Sequence, residues 1–150
     1  MKVRVDVQVA TAIDGLPSRT ALAGWARAAL TGLRRRRVSV TLRLIGKRES
    51  TTLNGRFRRK HKPTNVLSFP FDAPPGTRSD LLGDVAICVE VVRREARDQG
   101  KPERAHWAHM VVHGIMHLRG YDHHDDKQAA VMEAKETRIL RGLGFPNPYA

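Results

Sequence analysis

Cysteine and long apolar runs are scarce in this sequence. The single cysteine, Cys88, excludes an internal disulfide and any zinc site built from several cysteines. It lies in the apolar run 85–89, where a buried and unreactive thiol is expected. No segment approaches the roughly 18 apolar residues that a membrane span needs, and the first residues lack the apolar stretch of a signal peptide. We therefore expect a cytoplasmic protein that does not contact a membrane.

Aromatic residues and acidic residues are also few. Aromatics make up 5% of the chain, so platforms for base stacking are sparse and sequence-specific reading of a nucleic acid is not expected. Lys and Arg number 27 against 15 acidic residues, which gives a formal net charge of +12. This excess favours a polyanionic partner, with nucleic acid ranked before an anionic membrane surface. The arginines at 34–37 either contact an RNA backbone nonspecifically or form a solvated charged run.

The apolar periodicity predicts an α+β fold. Alternation or short apolar runs predict four strands, over residues 3–9, 38–44, 65–69 and 85–89, the last buried on both faces. Helical spacing with start and stop signals predicts five helices, over residues 18–33, 49–60, 90–100, 102–120 and 125–141. No repeat or linker divides the chain. We predict one compact domain over residues 1–150, with about four strands in a mixed sheet and about five helices largely on one side.

The histidines cluster near the C-terminal end, six of the seven between positions 106 and 124. Residues four apart on a helix lie one turn apart on one face, so the imidazoles of His113 and His117 can converge on one ion. Gly120 can adopt a left-handed conformation that ends the helix and turns the chain back. That turn positions His123 as a third ligand, so the spacing predicts a metal site.

Three neutral imidazoles suit zinc and leave a tetrahedral position open, which is the arrangement of catalytic zinc sites. A structural site would close with a fourth protein ligand. We therefore predict one catalytic Zn²⁺ per chain, used to hydrolyse a polar substrate, although nickel or copper could occupy the same ligands. The alternative, core or surface histidines on an amphipathic helix, does not account for the joint spacing with the glycine at the turn.

The histidine spacing also matches the zinc-peptidase motif H-E-x-x-H-x-x-G-x-x-H, except that Gly114 stands where the general-base Glu is expected. The missing Glu argues against peptide hydrolysis. Glycine in a helix interior costs about 1 kcal/mol relative to alanine. Position 114 is therefore predicted to need a close approach, either for function or for packing against the sheet.

Three further residues lie beside the predicted ligands, and two of them have two interpretations. His109 lies one turn before His113 and is expected to be packed, while a role in supporting or replacing a ligand is the alternative. His124 is expected to face solvent. Asp122 either orients a ligating imidazole or serves as a turn residue, and both interpretations remain open.

Three blocks of the sequence form a longer pattern. They are Leu53-Asn54 with Phe57-Arg58-x-Lys60 and the run KPTNVLSFP at 62–70; the run LGDVAI at 82–87; and the run HGxxHLxGYDH at 113–123. In this order they resemble the YbeY family of rRNA-maturation endoribonucleases. Before Leu53 the likeness is limited to a strand–helix–strand layout.

The resemblance implies a zinc-dependent, single-strand-specific endoribonuclease acting in ribosomal RNA maturation and ribosome quality control. It implies that His113, His117 and His123 are catalytic zinc ligands and that Arg58 contacts the phosphate. The implied partners are ribosomal RNA, the small ribosomal subunit and the ribosome-associated GTPase Era. His61 departs from the family, which usually has Asp there, and it adds positive potential near the expected RNA path.

A guanidinium at position 58 can hold two phosphate oxygens and offset charge in the transition state, but the basic residues 58–62 also fit the solvated end of a helix. Two rival classes of function remain: a zinc peptidase, and a non-catalytic ribosome-binding module that uses zinc only for folding. Within the nuclease interpretation, either water or the neighbouring 2′-hydroxyl attacks, and no general base is evident.

Overall fold

Four strands and five helices follow one another in the computed structural model, which describes residues 1–150. Their order and number are those predicted, so the α+β class is confirmed. None of the helices combines the length and the apolar character needed to cross a bilayer. The elements are β1 (Lys2–Ala10), α1 (Arg19–Ala29), β2 (Arg37–Ile45), α2 (Lys47–Arg58), β3 (Val66–Pro70), β4 (Leu81–Cys88), α3 (Val89–Asp98), α4 (Glu103–Leu118) and α5 (Asp126–Gly142).

Some predicted boundaries were wrong by several residues. α1 ends at Ala29 rather than at Leu33, because Gly32 adopts a left-handed φ of 85° and turns the chain toward the next strand. β2 begins at Arg37, one residue before the predicted start at position 38. α2 also ends early, since Arg59 takes a left-handed φ of 57°.

The sheet is mixed, with the strand order β1-β2-β4-β3. β1, β2 and β4 run parallel, whereas β3 is antiparallel to β4 and forms one edge. Pro70, which lacks an N–H, ends this edge strand, where a missing ladder bond is tolerated. Residues 85–88 are almost completely buried, as their unbroken apolar run predicted, because β4 is an inner strand covered on both faces.

The two faces of the sheet are covered unequally. One face carries a core of 25 buried residues, where α1 packs against β1 and α4 against β3 and β4. α5 completes this core from outside α4. The other face holds a cluster of only four buried residues, around Ala86 and Cys88, with α2 beside it. The helices therefore lie largely on one side, as predicted. Burial raises the pKa of the Cys88 thiol, which fits the expectation of an unreactive cysteine.

α4 is the central helix, and it is buried on most of its surface between the sheet and α5. At Gly114 it crosses the sheet so closely that a Cβ would lie 2.4 Å from Val85 Cγ1 and 3.2 Å from Val66 Cγ2. The Gly114 carbonyl also accepts a hydrogen bond from Ser68 Oγ at 2.8 Å. The close approach predicted at this position is therefore packing against β3 and β4, and it leaves no room for a peptidase glutamate.

We expect Gly114→Ala to lower the free energy of unfolding by about 1–3 kcal/mol, because the added methyl overpacks the contact with the buried Val85. Gly24 is the matched control, since it is an exposed glycine inside α1 with no atom within 4 Å of a built Cβ. Gly24→Ala should raise the same free energy by about 0.5–1 kcal/mol through helix propensity. Urea denaturation measures both signs, and a stabilised Gly114→Ala would contradict the close approach.

Candidate metal centre

The end of α4 and the turn after it carry the three predicted ligands. His113 and His117 lie one turn apart, with their Nε2 atoms separated by 3.1 Å. α4 ends at Leu118, and Gly120 adopts the predicted left-handed conformation with φ 93°. The chain then reverses, so the His123 ring lies 5.2 Å from that of His117 and 6.1 Å from that of His113. The ligand nitrogens of all three lie within 4.8 Å of one another, so the fold brings them together.

The turn that carries His123 is held in place at both ends. The Arg119 guanidinium donates to the carbonyl of Ala29 at 2.8 Å and thereby fastens the turn to the end of α1. Asp122 Oδ1 accepts the backbone N–H of His123 at 2.8 Å, and its Oδ2 pairs with His124 at 2.8 Å. Asp122 is thus a turn residue with no hydrogen bond to a ligand ring. His124 is exposed, as expected.

Glu136 of α5 is a site residue that the sequence analysis missed. Its carboxylate is completely buried, with Oε1 hydrogen-bonded to His113 Nδ1 at 3.0 Å and Oε2 to His109 Nε2 at 2.8 Å. A signal for it existed, because Glu136 lies midway between the buried Met132 and Leu140 at helical spacing. An acidic residue inside an apolar stripe requires a partner.

Tyr149 was also missed, and it completes the surroundings of Glu136. Its hydroxyl donates to Glu136 Oε2 at 2.8 Å, and its ring packs edge-to-face on His109 at 5.2 Å. Burial and, next, the charge of Glu136 raise the pKa of Tyr149, so the hydroxyl remains a donor. Burial opposes the ionisation of Glu136, but its hydrogen bonds with His109 and His113 outweigh burial and lower its pKa to about 2.

The hydrogen bonds determine which nitrogens are available to a metal. Because Glu136 is ionised and only accepts, we assign a proton to His113 Nδ1, so Nε2, which faces His117, is the nitrogen of this ring available to a metal. Burial, followed by the nearby charges of His113 and His123, lowers the pKa of His117 from 6.5 to about 4. The His117 ring is therefore neutral near pH 7, the form that ligates a metal.

These residues fit a zinc ion. Two imidazole nitrogens on one tetrahedral zinc lie about 3.3 Å apart, and the Nε2 atoms of His113 and His117 are 3.1 Å apart. His109, His113 and Glu136 form a second group with ligand-like spacing. In that group the carboxylate is fully buried and both its oxygens already accept hydrogen bonds, whereas the first group includes the exposed His123. The first group therefore has the access that a substrate needs.

The other histidines of α4 are packed, as expected for His109. His106 is 3% exposed and His109 is 7% exposed. His106 Nε2 pairs with Glu95 at 2.9 Å, and Asn65 donates to the same carboxylate at 3.1 Å. Glu95 of α3 thus connects His106 of α4 to Asn65, the residue before β3. These bonds help to hold the helix that carries the predicted ligands.

Arg58 is not part of the histidine cluster. It lies exposed on the last turn of α2 and forms no hydrogen bond or ion pair with the three histidines. Strand β3 connects the two regions: the ring of Phe57 lies 5.1 Å from that of Phe69, and the adjacent Ser68 bonds to Gly114 on the histidine helix. The end of α2 and the end of α4 therefore both border the same edge strand.

The family described as Endoribonuclease YbeY matches residues 15–144. The chain belongs to this family. The resemblance drawn from the three sequence blocks is thus confirmed, and YbeY membership implies a metal-dependent endoribonuclease, a hydrolase, in ribosomal RNA maturation. Among solved structures the chain is similar to TM1509 from Thermotoga maritima, determined in solution. The identity is 26% and the TM-score 0.60, over 93% of this chain and 87% of that one.

We expect the metal-free protein to lose stability as the pH falls from about 6.5 to about 4. Unfolded His117 takes up a proton near 6.5 but the folded residue only near 4, so the unfolded state binds more protons in this window. His117→Asn should flatten this slope, and His124→Asn, at an exposed position, should not. Denaturation curves across this pH range provide the measurement. A slope that His117→Asn leaves unchanged would contradict the lowered pKa.

Proposed function

We propose that this protein is a zinc-dependent, single-strand-specific endoribonuclease that acts in ribosomal RNA maturation and ribosome quality control. The observation that carries the proposal is the convergence of His113, His117 and His123 at an accessible position, in a chain of the YbeY family. The whole chain, residues 1–150, forms the nuclease domain in this proposal, and the protein acts in the cytoplasm.

The three histidines are the zinc ligands in this proposal, one ion per chain. Zinc in a site of this kind supplies Lewis acidity toward a phosphodiester. Glu136 keeps the proton of His113 on Nδ1 and holds the ring with Nε2 toward the ion, as carboxylates do for many zinc-bound histidines. The fully buried group of His109, His113 and Glu136 then serves as support rather than as a second metal site.

Arg58 is the proposed phosphate-binding residue. It belongs to the exposed basic segment 56–62, which contains six basic or histidine side chains and the exposed Phe57. A guanidinium binds two phosphate oxygens, and the neighbouring charges attract the rest of the backbone. His61 lies within this segment, so the departure from the family's usual Asp makes the proposed RNA path more basic. The exposed arginines 34–37 add a second, nonspecific contact.

The proposed substrate is ribosomal RNA on the small ribosomal subunit, with the GTPase Era as a protein partner. Family membership and the net charge of +12 support an RNA substrate. A peptidase is disfavoured, because packing against Val85 excludes a general-base side chain at Gly114. A module that only binds RNA would not need an accessible set of ligands.

We expect zinc-loaded wild type to cut a single-stranded ribosomal RNA fragment. His117→Ala should lose both zinc and cleavage, because two imidazoles cannot replace three. Arg58→Ala should keep its zinc and lose about 100-fold or more in kcat, as when one donor to a transition-state anion is removed. Arg97→Ala is the matched control, since Arg97 is an exposed arginine on the last turn of α3. Cleavage rates and metal content are measured on each preparation.

The other outcomes separate the rivals. Equal cleavage by all variants would identify a contaminant. RNA binding that survives His117→Ala, with no cleavage by wild type under any condition, would support the binding module. Cleavage of a denatured protein but not of RNA would revive the peptidase. Among active preparations, products that end in a cyclic phosphate would identify the 2′-hydroxyl as the attacking group.

A further inference from the structure

The last residues of the chain fold back onto the helices that form the metal centre. The ring of Phe145 packs edge-to-face on Trp25 with the ring centres 6.0 Å apart. Lys101 donates to the carbonyl of Pro148, which fixes the segment to the start of α4. These contacts bring Tyr149 against His109, which lies one turn before His113 on the same face of α4.

The position of Tyr149 is fixed by its own backbone. Its N–H donates to Asn147 Oδ1 at 2.8 Å, and the same oxygen accepts from Thr137 of α5 at 3.4 Å. The hydroxyl then reaches Glu136 Oε2 at 2.8 Å, so a residue of the C-terminal segment contacts the carboxylate that holds His113. Two hydrogen bonds therefore connect Tyr149 to a metal ligand.

We propose that Tyr149 is a positioning residue for the metal centre, acting through Glu136 to hold His113 in its ligating orientation. The inference rests on the proposed zinc site. It extends the functional part of the chain past residue 144, where the match to the family ends.

The physical basis is that the carboxylate group of a glutamate rotates easily about its last side-chain bond. The terminal torsion of a glutamate is broad, so its two oxygens are fixed only by their partners. Glu136 Oε2 accepts from both His109 and Tyr149, which orients the plane of the carboxylate and aims Oε1 at His113 Nδ1. Without the Tyr149 hydroxyl, His109 alone fixes Oε2, and the orientation of the His113 ring becomes less defined.

The test measures metal binding rather than RNA cleavage, on the full-length protein. Wild type, Tyr149→Phe, Glu136→Gln and the double variant are stripped of metal and titrated with Zn²⁺ against a chelating dye. We expect Glu136→Gln to weaken binding about 10- to 100-fold, as for other partners of zinc-bound histidines. Tyr149→Phe should weaken it about three- to tenfold, the equivalent of one hydrogen bond.

The double variant shows whether Tyr149 acts through Glu136. If it does, Tyr149→Phe added to Glu136→Gln causes no further loss of affinity, whereas independent effects would multiply. The visible spectrum of the Co²⁺-loaded proteins reports ligand geometry and should change in Tyr149→Phe. Thr52→Val is the control: Thr52 is exposed on α2, and its hydroxyl bonds to the Arg48 carbonyl and to neither Glu136 nor the histidines. It should match wild type in both measurements.

Tyr149→Phe with wild-type affinity and an unchanged Co²⁺ spectrum would overturn the inference, and so would tighter binding or an independent effect in the double variant. Thermal melting of the metal-free variants distinguishes a local effect on the metal site from a general loss of stability. A general loss would lower the melting temperature together with the zinc affinity. Because RNA cleavage is not a readout, the proposed nuclease function can fail while this inference stands. Wild type that binds no zinc would overturn both.

Discussion

The burial of one carboxylate, Glu136, is the constraint on which the candidate metal centre depends. An ionised carboxylate taken out of water is destabilising by several kcal/mol unless donors surround it. The protein supplies three such donors, from His109, His113 and Tyr149. Because Nδ1 of His113 donates to this carboxylate, Nε2 is the nitrogen that faces His117 and is available to a metal. His113 is thus oriented for a metal by the same hydrogen bond that stabilises the buried charge of Glu136.

A second constraint places the ligands at the edge of the sheet. α4 approaches the sheet at Gly114 more closely than any side chain would allow, with the Ser68 hydroxyl bonded to its backbone. This contact fixes α4 against β3 and β4. The last turns of α4, which carry His113 and His117, therefore lie near the edge strand β3. Packing, rather than catalysis, accounts for the glycine at this position.

The sequence was sufficient for the parts of the site that are local. Helical periodicity places His113 and His117 one turn apart on the same face. The glycine at position 120 allows the chain to reverse, which brings His123 close to both. Glu136 lies 23 and 27 positions from the two histidines that it contacts, and Tyr149 lies 40 positions from His109. Only the packing of α5 and the C-terminal segment therefore brings them together. The same holds for Arg58, whose place beside the edge strand depends on how α2 lies against the sheet. The end of α1 was misjudged because the left-handed backbone at Gly32 overrode an apolar stripe.

Zinc peptidases and this chain share the same histidine spacing. Two histidines one helical turn apart, with a third after a glycine turn, are enough for the proposed three-ligand zinc site, whatever the reaction. The general base is a separate requirement, and the contact of Gly114 with Val85 removes its usual position. An RNA strand, unlike a peptide, carries its own nucleophile in the 2′-hydroxyl beside each phosphate, at an effective concentration that a free water does not match. The proposed combination of a zinc ion with Arg58, without a carboxylate base at position 114, is therefore better suited to RNA than to protein.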